Sequence, residues 1–291
     1  MKKTNSTIHP RHYFNHIEYT PWPLYISIWT GLLVFFLLLY INKYESVRPY
    51  ILLLVLLGLL FQIENWNKDI IVESTYLGRY NKKIYATLTI GFFLFLLSEI
   101  MLFSGFFWAY FDRVFFLNAF VDNISRLSPS SHPWVIVDWY RLPVVGTLFL
   151  VTSGYICNFG YYSFRLGIKD SSISSLVVGI ALGVIFLCIQ EFEYLEFALT
   201  MSDGVFASLF FLLTGFHGAH VLVGLIMLCT QLDRLWKNEY TPQRSTGLSF
   251  AIIYWHFVDI IWIFLFIFVY WFNNTKSTNI ITTLNYYSYF F

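Results

Sequence analysis

Residues 248–272 read LSFAIIYWHFVDIIWIFLFIFVYWF, and this stretch decides the class of fold. Only His256 and Asp259 in it carry groups that ionise near neutral pH, and it contains no lysine, arginine, glycine or proline. A helix needs about 20 predominantly apolar residues to cross the hydrocarbon core of a bilayer. The stretch therefore predicts a transmembrane helix with two polar side chains at membrane depth.

Six further apolar runs of similar length precede this one, and charged clusters separate them. The seven predicted spans are Trp22–Ile41, Pro49–Trp66, Ile84–Phe111, Leu142–Phe164, Ile173–Glu191, Ser202–Leu232 and Leu248–Phe272. Only 12% of the residues are charged, against roughly 25% in soluble domains. We therefore predict an all-α, polytopic membrane protein of seven transmembrane helices, which excludes a soluble enzyme. A net charge of +1 without a basic run also excludes a nucleic-acid partner.

Basic residues are distributed unequally between the two sides of the predicted helices. Twelve of the 18 lysines and arginines lie on the side of the N-terminus, and six lie on the other side. The inner side of a membrane protein usually carries the excess of positive charge. We therefore predict an inner, polar N-terminal segment, residues 1–21, and an outer C-terminal extension, residues 273–291.

Glu99 lies deep within the third predicted span, beside Ser98. An acidic side chain at the centre of a bilayer costs about 2.5–3.5 kcal/mol on insertion scales, so its presence needs a reason. One interpretation is a carboxyl that is protonated or bonded to a neighbouring helix and only clamps the packing. The other is a proton-linked or regulatory carboxyl. The residues alone leave both interpretations open.

Histidines in the last two spans form a second group of polar candidates. His217 and His220 are three residues apart and share a helix face, while His256 and Asp259 belong to the seventh span. The spacing of the first two suits two ligands of one metal, but the remaining ligands would have to come from other helices. An interior polar cluster, in which these groups satisfy each other or Glu99, requires no metal. We favour that cluster and predict neither a metal site nor a catalytic residue.

Small residues indicate where transmembrane helices approach closely. Gly215 and Gly218 bracket the histidine face of the sixth span. Gly179 and Gly183 form a pair at a spacing of four in the fifth. We predict close helix packing at both places.

Three motifs of the last two spans and the loop before them are highly specific. They are DGVF at 203–206, TGFHGAHV at 214–221 and YWHFVDIIW at 254–262, and they resemble motifs of cytochrome c oxidase subunit III. Others follow the same order: PWPL at 21–24, DIIVEST at 69–75, SE at 98–99, GFFWA at 105–109 and EYLE at 193–196. The resemblance covers most of the chain from Pro21 to Trp271.

The resemblance implies an inner-membrane subunit that carries no haem and no copper. It implies that a two-helix hairpin, residues 22–66, is set apart from a five-helix bundle, residues 67–272, by a V-shaped cleft filled with phospholipid. Such a subunit packs against catalytic subunit I, supports proton uptake and protects the enzyme from inactivation. Haem a, haem a3 and copper belong to partner subunits, electrons enter from cytochrome c through subunit II, and accessory subunits complete the assembly.

The resemblance also implies roles for individual residues. Glu99 matches a buried carboxyl that reacts with carbodiimides, and His217 and His220 match interior polar residues rather than ligands. The segment that lines the lipid cleft includes Trp66 and Glu73. The family usually has an arginine before that glutamate, where this chain has valine, so one phosphate contact is either missing here or supplied by another basic residue. The candidates are Lys68, Arg79, Lys82 and Lys83.

The resemblance and the lack of a cleavable presequence favour the mitochondrial inner membrane, with the N-terminus in the matrix and the C-terminus in the intermembrane space. A bacterial plasma membrane is the alternative. A quinol oxidase subunit III is a second functional candidate, although it usually lacks the first two helices. A third candidate, from another class, is an independent transporter or proton channel centred on Glu99, His217 and His220.

Overall fold

The computed structural model describes residues 20–43, 48–112, 140–196, 200–202 and 205–272. Within these ranges the chain is helical and contains no β-strand. The predicted N-terminal segment, residues 1–21, lies almost entirely outside the described residues, and the predicted extension, residues 273–291, lies wholly outside them.

Seven helices in the described chain are long and apolar enough to cross a membrane. They are α1 (Trp22–Ile41), α2 (Pro49–Ile71, continued by the π-helix Val72–Tyr76), α3 (Lys82–Phe111), α4 (Leu142–Arg165), α5 (Lys169–Glu196), α6 (Val205–Trp236) and α7 (Thr246–Leu265, continued by the π-helix Phe266–Trp271). The predicted fold class and the seven predicted spans are confirmed.

The second span is longer than the sequence suggested. The apolar run was taken to end at Trp66, but the helical segment continues to Tyr76. Charged residues interrupt the apolar run without interrupting the helix, and two of them form a pair along it, with Lys68 Nζ 2.7 Å from Glu64 Oε1 one turn earlier. Pairs at this spacing stabilise a helix by roughly 0.2–0.5 kcal/mol.

The chain divides into two units, Met1–Ile90 and Gly91–Phe291, and the boundary falls inside α3. The predicted lipid-filled cleft, with a boundary after Trp66, stays a prediction.

In the first unit, α1 and α2 pack side by side and run antiparallel. The indole N–H of Trp22, at the start of α1, donates to Asp69 Oδ2, near the end of α2, at 2.5 Å. Farther along the pair, Gly58 lies against the indole of Trp29, and a Cβ at this position would overlap the ring. The close approach of the two helices therefore depends on a glycine at position 58.

In the second unit, α7 is held from three sides through Trp255. Its indole lies between Gly183 of α5 and Gly224 of α6, where added Cβ atoms would come within 2.8 and 2.7 Å of the ring. The indole N–H donates to Ser153 Oγ of α4 at 2.9 Å. One buried side chain thus fixes the position of α7 against three neighbouring helices.

A second tryptophan repeats this arrangement two turns farther along α7. The indole N–H of Trp262 donates to Thr147 Oγ1 of α4 at 2.9 Å. The two bonds lie on the same face of α7 and join the same pair of helices. They therefore fix the rotation of α7 about its own axis, as well as its position.

Close helix packing was predicted at two pairs of glycines, and the prediction is confirmed for one pair and wrong for the other. Gly179 and Gly183 do mark a close approach, since added Cβ atoms would meet Cys157 Sγ and the Trp255 ring. At Gly215 and Gly218, an added Cβ would meet no atom of a neighbouring helix within 4 Å in the part of the chain that the structure describes. These two glycines face outward, and the close contact of α6 lies at Gly224.

Gly224→Ala should lower the free energy of unfolding by about 1–3 kcal/mol, the usual cost of overpacking a filled interior. The ring of Trp255 cannot retreat without breaking its bond to Ser153. Gly218→Ala on the same helix is the control and should be neutral, or stabilising by up to about 1 kcal/mol through helix propensity. Unfolding in mixed detergent and dodecyl sulfate micelles, followed by circular dichroism, measures both. Equal losses from the two variants would contradict the packing described.

Candidate functional site

Glu99 and His220 form the closest pair of ionisable side chains between two spans of the second unit. Glu99 Oε2 of α3 lies 2.8 Å from His220 Nε2 of α6. The carboxyl side chain is 19% exposed and the imidazole 13% exposed. The Phe103 ring, centred 5.0 Å from the imidazole, covers the pair on one side. The bond therefore lies in largely apolar surroundings, with partial access from outside.

The second ring nitrogen of His220 determines where the proton of this pair can be. Nδ1 lies 2.6 Å from the carbonyl oxygen of Phe216, one turn earlier on α6. A carbonyl oxygen only accepts hydrogen bonds, so Nδ1 carries a proton. Nε2 then either accepts the proton of a neutral Glu99 carboxyl or, as part of an imidazolium, donates to a carboxylate. One proton is shared between two atoms, and the net charge of the pair is zero in both forms.

His217 takes no part in this bond, although it is only three residues away. Its ring is fully buried, with the rings of Phe186 and Trp262 centred at 5.7 and 5.0 Å. Nε2 donates to the carbonyl oxygen of Val258 on α7 at 3.3 Å. Nδ1 has no hydrogen-bond partner in the described part of the chain. His217 thus acts as a contact between α6 and α7.

His256 and Asp259 form a separate pair on α7. His256 Nδ1 lies 3.4 Å from Asp259 Oδ2, and the side chains are 41% and 10% exposed. Gly154 of α4 provides the room, because a Cβ there would overlap the Asp259 carboxyl. The four residues predicted as one interior cluster, His217, His220, His256 and Asp259, are therefore distributed over three places.

A further buried carboxyl escaped the sequence analysis. Glu193 lies two residues beyond the predicted end of the fifth span at Glu191, but α5 continues to Glu196, and Glu193 is 7% exposed. Gln190 Nε2 donates to its Oε2 at 3.1 Å, while its Oε1 has no hydrogen-bond partner among the described residues. Next to it, the Tyr194 hydroxyl donates to Thr214 Oγ1 of α6 at 2.6 Å. The sequence signal that could have indicated this buried carboxyl was the three-residue spacing of Gln190 and Glu193 at the end of an apolar run.

The predicted lipid-binding residues lie around the end of α2, within the first unit. Trp66 is 38% exposed, and the Lys68 ammonium is paired with Glu64 on the exposed surface. The backbone N–H of Arg79 donates to the carbonyl oxygen of Glu73 at 3.1 Å, which closes the turn after the π-helix. The four predicted residues thus lie on one continuous stretch of helix and turn.

Tyr80 belongs to the same turn and was not anticipated. Burial and the neighbouring Glu73 carboxylate raise the pKa of its hydroxyl. The hydroxyl therefore stays protonated at physiological pH and can donate a hydrogen bond, for instance to a phosphate oxygen.

Comparison with known proteins gives one consistent result. The family described as Cytochrome c oxidase subunit III matches residues 12–274. The protein named Cytochrome c oxidase subunit 3 from Marchantia polymorpha is 33% identical over 265 residues, which cover 91% of this chain and 98% of that protein. Proteins of the same name from Pylaiella littoralis and Papio hamadryas are each 35% identical, over 93% and 90% of this chain and 97% and 98% of their own length.

His220→Leu should destabilise the chain by about 1–3 kcal/mol, since it leaves the Glu99 carboxyl buried without its partner. Glu99→Gln is the matched variant and should cost less than about 1 kcal/mol. Its amide N–H can donate to Nε2, because the ring proton is held on Nδ1. The unfolding assay in mixed micelles compares the two. A larger loss for Glu99→Gln than for His220→Leu would show that the tautomer is assigned wrongly.

Proposed function

Because the chain belongs to the cytochrome c oxidase subunit III family, we propose that it is a core, non-redox subunit of the proton-pumping cytochrome c oxidase. In this role it supports proton uptake, binds phospholipid and stabilises catalytic subunit I while electrons pass from cytochrome c to oxygen. The match to nearly the full length of the relatives supports this role. The presence of α1 and α2 favours a cytochrome c oxidase over a quinol oxidase.

We place haem a, haem a3 and copper in partner subunits, with subunit I as the main contact and subunit II and accessory subunits beside it. The histidines of the described spans have other roles, since each one bonds to a group of this chain. In the described ranges, no three His, Cys, Asp or Glu side chains lie together as a metal site would require. The three histidines of these spans are thus engaged by groups of the chain itself.

The Glu99–His220 bond is the observation that carries the proton-linked part of the proposal. Its two atoms, 2.8 Å apart, share one proton, and neither position of that proton leaves a net charge in the membrane. Moving the proton between them therefore needs no compensating charge. The partial exposure of the carboxyl gives access from the lipid side. A pair of this kind can hold a proton at membrane depth at low electrostatic cost.

The phospholipid-binding part of the proposal rests on the end of α2 and the turn after it. The headgroup phosphate would be met by Lys68 and Arg79, while Trp66 lies at the level where indoles prefer the membrane interface. Tyr80 adds a hydroxyl donor beside Glu73. This arrangement offers an anion both charge and hydrogen bonds in place of the usual arginine.

We propose the mitochondrial inner membrane as the location, with the N-terminus in the matrix and the C-terminus in the intermembrane space. The excess of basic residues on the N-terminal side supports this orientation.

Purification of the chain from native membranes in a mild detergent should yield a particle that contains haem a and copper. The visible spectrum and metal analysis of the particle measure this. An independent transporter or channel would instead purify as a colourless, monodisperse particle, and that result would overturn the proposal.

A hydrophobic carbodiimide should modify Glu99 in the intact complex, because such reagents attack a protonated carboxyl and the neutral form of the pair supplies one. Glu99→Gln should lose the label, as measured by mass spectrometry of the isolated chain. Glu193→Gln is the matched control, since it removes the other buried glutamate, and it should keep the label. Labelling that survives Glu99→Gln would assign the reactive carboxyl to another residue.

A further inference from the structure

Three buried polar side chains lie together where α5 ends. Gln190 and Glu193 belong to the last two turns of α5, and Tyr270 belongs to the π-helix that continues α7. Gln190 and Glu193 are 6% and 7% exposed, and Tyr270 is fully buried. The Tyr270 hydroxyl interacts with both of the other groups. The three side chains, which we call the Glu193 cluster, therefore form one site that joins α5 to the end of α7.

Aromatic side chains separate the Glu193 cluster from water. The rings of Phe210 of α6 and Trp262 of α7 are centred 5.5 and 5.8 Å from the Tyr270 ring, and both side chains are buried. The π-helix that carries Tyr270 is held to α3, because the Tyr110 hydroxyl donates to the carbonyl oxygen of Phe268 at 3.2 Å. The cluster is thus enclosed by aromatic side chains of neighbouring helices.

Nothing in the described chain balances a negative charge on Glu193. Within the described ranges, no lysine, arginine or histidine forms an ion pair with this carboxyl. The titratable groups that act on it are two phenols, Tyr194 and Tyr270, and neither carries a positive charge. The Tyr194 hydroxyl donates to Thr214 Oγ1, so its single proton does not serve the carboxyl. An isolated carboxylate in such an interior is so costly that the group usually becomes neutral by binding a proton.

The hydrogen bonds of the cluster indicate which oxygen holds such a proton. Gln190 Nε2 donates to Glu193 Oε2 at 3.1 Å, so Oε2 already accepts a bond. Oε1 is buried and has no hydrogen-bond partner of regular geometry in the described chain, and the same is true of the Tyr270 hydroxyl. A bond between these two atoms satisfies both, and a hydroxyl oxygen can accept as well as donate. A proton on Oε1 therefore meets an acceptor, whereas a proton on Oε2 would face the amide N–H.

We propose that Glu193 is a second proton-binding site of this chain, in which Oε1 holds a proton and donates it to the hydroxyl oxygen of Tyr270. The Tyr270 hydrogen then goes to the amide oxygen of Gln190, whose N–H already bonds Oε2, so the three groups form a neutral ring. The ring joins the end of α5 to the π-helix without placing a charge in the interior. The inference concerns side chains of this chain alone and does not rest on the proposed function.

The Glu193 cluster differs from the Glu99–His220 pair in how its charge is removed. In that pair a base lies 2.8 Å from the carboxyl, and the proton can move between the two partners. Glu193 faces no base among the described residues, so only a proton taken up from water makes it neutral. The Glu99 carboxyl is 19% exposed, whereas the cluster is closed. The proton at Glu193 is therefore held within the fold, while that at Glu99 can be exchanged.

Infrared spectroscopy of the purified particle at neutral pH detects the proton directly, because a neutral carboxylic acid has a C=O stretching band that a carboxylate lacks. Subtracting the spectrum of Glu193→Gln from that of the wild type should show the loss of one acid band. Glu196→Gln removes an exposed carboxyl of the same helix and is the matched control, which should lose carboxylate bands only. Loss of carboxylate bands in Glu193→Gln would overturn the proposal.

The stability of two variants gives an independent measurement. A carboxamide has an oxygen and an N–H where the neutral acid has an oxygen and an O–H, so Glu193→Gln should unfold at the same fraction of dodecyl sulfate as the wild type. Glu193→Leu leaves Gln190 and Tyr270 without a partner and should unfold at a lower fraction. Equal midpoints for the two variants would contradict the ring.

Tyr270→Phe tests the partner of the proton, and it applies even if Glu193→Gln folds poorly. Removal of the hydroxyl should shift the acid band to higher frequency, because the carboxyl loses a hydrogen bond. Tyr155→Phe, at an exposed tyrosine of α4, is the control and should leave the band in place. A band that Tyr270→Phe does not move would overturn the proposal. These measurements report on the carboxyl alone, so their outcome is separate from whether the particle contains haem.

Discussion

The contact on which the second unit depends is the indole of Trp255, held between two glycines and bonded to Ser153. Ser153 in turn donates to the carbonyl oxygen of Leu150, so the indole is tied to the backbone of α4 through one hydroxyl. With Trp262 it fixes how far α7 is rotated. That rotation aims the Val258 carbonyl at His217, the Asp259 carboxyl at Gly154 and His256 outward. The positions of the polar groups on α7 thus follow from where two tryptophans find their hydroxyl partners.

The second constraint is that hydrocarbon offers no hydrogen bonds, so polar side chains within the spans must find partners in protein. The helices of the second unit satisfy this constraint with separate pairs of polar side chains. Glu99 bonds His220 between α3 and α6, His256 faces Asp259 along one helix, and Glu193 is bonded by Gln190. The three pairs share no residue, and each limits the charge at its own place.

The features that depend on composition could be predicted from the sequence. The features that depend on how the helices pack could not. Seven apolar runs were sufficient for seven spans, since length and hydropathy alone determine whether a helix can cross a bilayer. The end of α2 was missed because Lys68 and Glu64 break an apolar run without breaking a helix. Glu193 was left outside the predicted fifth span, because an acidic residue at the end of an apolar run gives no sign of whether its side chain is buried. Likewise, the bond between Glu99 and His220 joins residues 121 positions apart, and only the arrangement of helices brings them together.

That separation has a consequence for how the protein is made. During synthesis, α3 leaves the ribosome with Glu99 well before α6 brings His220, 121 residues later. At roughly 5–20 residues per second, this interval is on the order of ten seconds. Throughout it the carboxyl must stay protonated or be shielded by the insertion machinery, because its permanent partner does not yet exist. Insertion of α6 into the membrane then brings His220 to Glu99 and completes the hydrogen bond. From that point the Glu99 carboxyl has a permanent partner within the membrane.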